Sequence, residues 1–169
     1  MRLPALSAVS SFVSMTIKLF ESIIEADRDA VWQFHSSAEA LTALTPPHKR
    51  IRWISHDLSV REGAIHEFQV KVGPAWLTWK AELFDVNPPV GFGDRAIKSP
   101  FKSWTHRREF LEQGSSTLVR DHIAYELPFG FLGALVDKVF MSGDIDRMFK
   151  FRHQALERNL NRARSWQTG

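Results

Sequence analysis

Cysteine is absent from the 169 residues. The chain therefore has no disulfide framework, no thiolate metal site and no thiol nucleophile, and a cytoplasmic location is the expectation for a chain with no adaptation to an oxidising compartment. Tyrosine is almost absent: one Tyr stands against 13 Phe and 6 Trp. The aromatic mass is thus mostly apolar surface, which must be buried or presented to something greasy. No apolar run approaches the roughly 20 residues that a membrane span needs, so no stable membrane insertion is expected. Charge of one sign is also lacking, with 22 basic residues against 19 acidic and a net charge of +3. Only the last predicted helix gathers cations, at Arg147, Lys150, Arg152, Arg158, Arg162 and Arg164, with Asp146 and Glu157 among them. That mixture reads as a solvated face, and no nucleic-acid binding is expected. The histidines lack metal-ligand spacing and the glycines form no phosphate-cradling loop, so neither a metal nor any other cofactor is predicted.

The chain shows no linker, repeat or low-complexity tract, and its length suits one domain. Residues 1–15 carry one basic residue, Arg2, before a mildly apolar run broken by four serines, a poor match to a secretory signal. They are expected to be a disordered N-terminal extension, with Met15 the functional start and residues 16–164 the domain. A mature N-terminus determined by mass spectrometry decides between these.

The alternation of Ile17, Leu19 and Ile23 with polar neighbours predicts a strand over Thr16–Ile24 with those three as its buried face. Asp27 or Asp29 can cap a short helix through His35, and a second covers Ala38–Leu44 before Pro46 and Pro47 stop it. Strands are then predicted at Arg50–Leu58, Ala64–Val72, Ala75–Val86, Val90–Ile97, Lys102–Glu112 and Ser116–Leu127. Their short links contain Gly63, Gly73-Pro74, Asn87-Pro88-Pro89 and Gln113-Gly114, which implies antiparallel neighbours. The chain ends as helix, with Leu132, Leu135, Val136, Val139 and Phe140 on one apolar face. A break or fresh start falls at Ser142-Gly143-Asp144, and Met148, Phe149, Leu156 and Leu160 resume the stripe. This is an α+β order: about seven antiparallel strands, two short helices after the first, and one long helix able to cover the sheet.

The last hairpin is the most informative segment. With Gln113-Gly114 at the turn, Glu112 opposes Ser115, which sets Phe110 across from Thr117, Arg108 from Val119, His106 from Asp121 and Trp104 from Ile123. One face then carries Trp104, His106, Arg108, Phe110, Val119, Asp121, Ile123 and Tyr125, and the other is polar, so the first set points inward. The preceding link places Asp94 beside His106 and Phe92 beside Arg108, and Trp79 extends the apolar wall. Buried charges cost several kcal/mol unless paired. Asp94, His106, Arg108 and Asp121 therefore either brace the hairpin as an internally satisfied network or form the polar floor of a mostly apolar pocket.

Several stretches together resemble one family. Val31-Trp32-x-Phe34-His35 and Leu44-Thr45-Pro46-Pro47 look like its opening helices. Phe92-x-Asp94, Pro100-Phe101-x-x-Trp104-x-His106 with Phe110, Asp121-His122-Ile123-x-Tyr125-Glu126-Leu127-Pro128-Phe129-Gly130 and Met148-Phe149-x-Phe151-Arg152 resemble its later signature. The family is the ligand-binding SRPBCC group of the START-like (helix-grip, Bet v 1-like) superfamily, related to polyketide cyclase/dehydrase proteins. The chain departs from it at Arg108, which stands where a second histidine is usual, and at Ala96 and Ser99. The resemblance implies a curved antiparallel sheet wrapped around the long C-terminal helix, with a lipid-like or polycyclic molecule held between them.

Three functions remain open at this point. In the first, a small hydrophobic ligand is bound by Trp79, Phe92, Asp94, Trp104, His106, Arg108, Phe110, Asp121, Ile123, Tyr125 and Phe149, without catalysis. In the second, a cyclase, dehydratase or hydrolase uses His106 as general acid or base, oriented by Asp121 or Asp94, with Arg108 polarising an oxyanion. The third is an accessory interaction role for the basic helix.

Overall fold

The computed structural model describes residues 15–128 and 141–167, with side chains throughout except at 38, 39 and 161–167. The expected N-terminal extension, the apolar face from Leu132 to Phe140, and the side chains of Arg162 and Arg164 lie outside what is described.

Seven strands form one antiparallel sheet: β1 (Thr16–Ile24), β2 (Ile51–Trp53), β3 (Ile65–Val72), β4 (Ala75–Asn87), β5 (Gly91–Lys98), β6 (Ser103–Gln113) and β7 (Ser116–Glu126), in the order β1-β7-β6-β5-β4-β3-β2. Every link from β2 to β7 joins neighbours in space. Only β1 crosses over, to pair with β7. Two helices fill that crossover, α1 (Arg28–His35) and α2 (Ala38–Ala43). Asp27 caps α1 by accepting from the Ala30 amide, and Ser37 does the same for α2 at Ala40, satisfying amide donors that the first helical turn leaves unpaired. The final helix, α3 (Ser142–Gln167), packs along β1 and against α1 and α2.

The strand bounds follow the sequence pattern closely except at β2, which stops at Trp53 although the pattern extends to Leu58. Beyond it the Ile54 and Ser55 amides share the Glu67 carbonyl, and the Ser55 hydroxyl takes over the Glu67 amide. A short polar side chain here replaces the ladder with local bonds, which is how serine ends strands.

The sheet face of β1 is the reverse of the expectation. Ile17, Leu19 and Ile23 lie on the outer face, 68%, 53% and 56% exposed, whereas Phe20 and Ile24 point inward. The inward polar positions are matched from α3: Lys18 donates to the Ser142 carbonyl and pairs with Asp146, and Ser22 meets His153. Partners that lie more than 120 residues away turn a polar stripe into an interior one.

The β6–β7 register also differs from the expected one, by two residues. Gly114, at a φ of 65°, takes the first central position of the turn, so Gln113 faces Ser116, Phe110 faces Val119, Arg108 faces Asp121, His106 faces Ile123 and Trp104 faces Tyr125. A shift of one would have exchanged the faces, but a shift of two preserves them. The β5–β6 register is the one expected, with Asp94 opposite His106 and Phe92 opposite Arg108. The close approach there depends on Gly91, where a Cβ would meet the Arg108 carbonyl oxygen at 2.2 Å.

The interior is divided in two. Phe110, Val119, Ile24 and Val31 pack with Ala155, Leu156 and Leu160 of α3 at one end. At the other, Trp104, Ile123 and Tyr125 pack with Ile145 and Phe149. On α3 the contacts at 145, 149, 156 and 160 recur at helical spacing. Between them, on the same helix, lie Arg152 and His153.

Candidate functional site

Asp121 of β7 is the hub of the polar residues between the two apolar clusters. It is 1% exposed. Its Oδ1 accepts from Arg108 Nε at 2.7 Å and from His106 Nε2 at 2.7 Å, and its Oδ2 accepts from His153 Nε2 at 2.7 Å. His106 reaches Asp94 Oδ2 with its other nitrogen, Nδ1, at 2.8 Å. His153 Nδ1 lies 2.6 Å from Ser22 Oγ. Alternation along the strands brings these groups together: 106 and 108 on β6, 121 on β7, 94 on β5 and 22 on β1 all point inward, and α3 adds 153 from above.

The charges follow from these contacts. Burial opposes ionisation of Asp121, but the adjacent Arg108 cation and the hydrogen bonds from His106 and His153 prevail and hold the carboxyl well below its ordinary range. Burial likewise disfavours a charged His106. Asp94 and Asp121, one on each ring nitrogen, outweigh it and raise its pKa above the ordinary imidazole value. With His106 protonated, two carboxylates and two cations neutralise each other, the condition under which such a cluster can be buried. His35, under the same wall, behaves oppositely. Burial and the nearby Arg108 charge push its pKa well below the usual value, and its Nδ1–H donates to the Val31 carbonyl at 2.8 Å.

A titration of the ring resonances by NMR is thus expected to separate the two histidines. His106 should keep its proton above pH of about 6.5 and His35 should remain neutral below it. A His106 midpoint below that of a free imidazole would mean that its two carboxylate contacts do not persist in solution.

All the residues singled out from the sequence lie on the concave side or on α3 facing it, in two neighbourhoods. Trp79, Trp104 and Tyr125 gather around Phe101, with ring centroids 5.1–6.0 Å apart, and Ile123 and Phe149 join them. Phe92 and Phe110 form edge contacts with Trp32 on the other side of the polar network. Phe149 links the halves: it stacks on Phe20 at 4.9 Å and presents its ring to His106 at 5.2 Å. Trp53 and Phe68 continue the aromatic wall from Trp79 toward β2.

The sequence pattern alone does not reveal His153, Ser22 or the inward turn of Arg152 as part of the site. His153 carries a legible signal, since it lies four residues after Phe149 on the stripe that faces the sheet. Arg152 groups with the basic outer surface in the sequence, but its guanidinium lies over the Phe149 ring, 5.0 Å from the centroid. Of the other helix cations, Arg147 is 72% exposed, and Lys150 and Arg158 are exposed too.

Residues 24–150 match the family described as polyketide cyclase/dehydrase and lipid transport. The chain belongs to that family. Among solved structures, it is similar to the protein TTHA0849 from Thermus thermophilus, with 18% identity over 88% of this chain and 99% of that one and a TM-score of 0.68. Norcoclaurine synthase from Thalictrum flavum, in complex with dopamine and hydroxybenzaldehyde, matches with 15% identity over 96% of each chain and a TM-score of 0.65. A nucleoside-diphosphate sugar epimerase from Corynebacterium glutamicum matches at 23% identity and a TM-score of 0.65, over 85% of this chain but only 29% of that one. No curated protein matches. These likenesses establish the helix-grip fold and, with the family, a START-like protein. No helix among the described residues is long and apolar enough to cross a membrane.

Proposed function

We propose that this chain binds a small, largely apolar molecule between the concave face of the sheet and α3, without transforming it. The observation that carries this reading is the state of the inward aromatics. Trp53, Phe68, Trp79, Phe92 and Phe101 point to the concave side yet remain only half-buried, whereas Phe110 and Phe149 are sealed completely. A core that existed only for stability would close over such rings, because each buries a large apolar area when covered. A wall of partly covered aromatics beside a few fixed polar groups is the usual composition of a small-molecule site. The family description, which includes lipid transport, supports the same reading.

Both nitrogens of His106 are engaged by carboxylates, and Arg108 is not a base near neutral pH. A general acid or base must exchange a proton with its substrate, and neither ring nitrogen faces open space. The geometry therefore supports binding above acid–base catalysis, and the polar network reads as a rigid floor.

Titration with 1-pyrenebutanol, an uncharged probe, is expected to give a saturable rise in fluorescence. Trp79→Ala should weaken it by about tenfold, close to what one lost aromatic contact is worth. A protein that takes up no probe, and whose native mass spectrum shows no copurifying molecule, would refute the binding reading.

A further inference from the structure

We propose that the site takes an amphipathic acid, with Arg152 and the free end of Arg108 receiving the carboxylate of a ligand whose body lies on the aromatic wall. This rests on the binding reading above and specifies the chemical class of its ligand.

Among the described residues, the charged groups at the network are Asp94 and Asp121 from the sheet, His106 and Arg108 opposite them, and Arg152 from α3. The first four neutralise one another. His35 is kept uncharged, and His153 contributes no negative charge in either protonation state. With His106 protonated, Arg152 is a cation in surplus among the described residues. Its Nε is buried without a hydrogen-bond partner, and it forms no ion pair among the described residues. Burial and the neighbouring Arg108 disfavour its charge by more than Asp121 and Asp94 favour it, and its pKa falls to about 10. A guanidinium remains charged there at neutral pH, without an ion-pair partner among the described residues.

Geometry gives that cation a direction. Its neighbour His153 turns toward β1 and β7, whereas Arg152 leans over Phe149 and senses Arg108, Asp121 and Asp94. Arg108 uses only its Nε on Asp121, and its two terminal nitrogens make no hydrogen bond among the described residues, while its guanidinium carbon lies 5.8 Å from the centre of the Phe92 ring. Two guanidiniums thus lie at the network, each beside an aromatic ring. Planar forks of N–H donors bind a carboxylate bidentately, and a carboxylate would provide the anion that Arg152 lacks. A neutral ligand would leave the unpaired cation uncorrected.

The test is a matched pair of probes on the full chain at neutral pH: 1-pyrenebutyrate and 1-pyrenebutanol, which differ only in the head group. The wild type is expected to prefer the acid by at least about tenfold. Arg152→Met, which keeps the apolar stem, should reduce that preference below about threefold, chiefly by weakening binding of the acid. Arg152→Lys, which keeps the charge but not the fork, should fall between them. Equal binding of the two probes by the wild type overturns the inference but leaves apolar binding standing. A preference undiminished in Arg152→Met overturns Arg152 as its source. Binding of neither probe overturns this inference together with the reading on which it rests. Should Arg152→Met fail to fold, the wild-type preference and the Arg152→Lys variant still decide.

Discussion

Asp121→Asn is expected to lower the unfolding free energy by about 3–5 kcal/mol, the usual cost of removing one partner from a buried ion pair. Arg108, His106 and His153 all direct donors at this one carboxylate. An asparagine keeps the shape but offers one acceptor atom and an NH₂ group, so donors face donors on the side where His153 approaches. The Arg108 charge remains in the interior without its anion. Urea denaturation of both proteins measures the loss, and a difference under about 1 kcal/mol would show that water satisfies the network.

The same pair of proteins carries a pH signature. Asp121 has a folded pKa below its unfolded one, so its contribution is present above the ordinary carboxylate pKa and is lost as pH falls through the depressed value. His106 has a folded pKa above its unfolded one, so its contribution is present below the ordinary imidazole pKa and is lost as pH rises through the raised value. The stability gap between wild type and variant should therefore be widest between pH of about 4 and 6.5. His35, with its lowered pKa, loses stability as pH falls below the same upper bound, but it does so in both proteins and largely cancels from the difference. A gap that widened steadily above neutrality would contradict the assignment of charges.

Phe149→Ala should cost a similar amount, about 3–5 kcal/mol, for a different reason. The ring is fully buried, stacked on Phe20, edge-on to His106 and beneath Arg152. Truncation leaves a cavity at the point where α3 meets the polar network, and the sheet is too rigid to close it. Phe149→Leu, which refills most of that volume, is expected to recover more than half of the loss. Thermal melts of the two variants check this, and equal melting points for Phe149→Ala and wild type would show that α3 does not rest on this ring.

Much of the fold is legible in the sequence because its signals are local. Alternation along β6 and β7 identifies which side chains share a face, and that face survives an error of two in the register because side chains on a strand repeat with period two. The short link between β5 and β6 is enough to place Asp94 at His106. The β1 face misleads for the same reason that local signals succeed elsewhere. Its pattern places aliphatic residues outside and Lys18 and Ser22 inside, and only α3 shows why, because Asp146 and His153 meet those positions from another part of the chain. Apolar residues are commonly left on protein surfaces, so an exposed Ile17 violates no rule that a single strand could reveal.

By itself the amino-acid order determined the class of fold, the inward face of the last hairpin, and the presence of charge among its aromatics, since each depends on spacing along a strand or helix. Tertiary structure alone decided that Asp121 binds three partners, that His153 is one of them, and that Arg152 faces inward. Those contacts depend on where α3 comes to rest across the sheet. The angle and register of that docking arise from many weak packing contacts between residues far apart in the chain, which no local periodicity records.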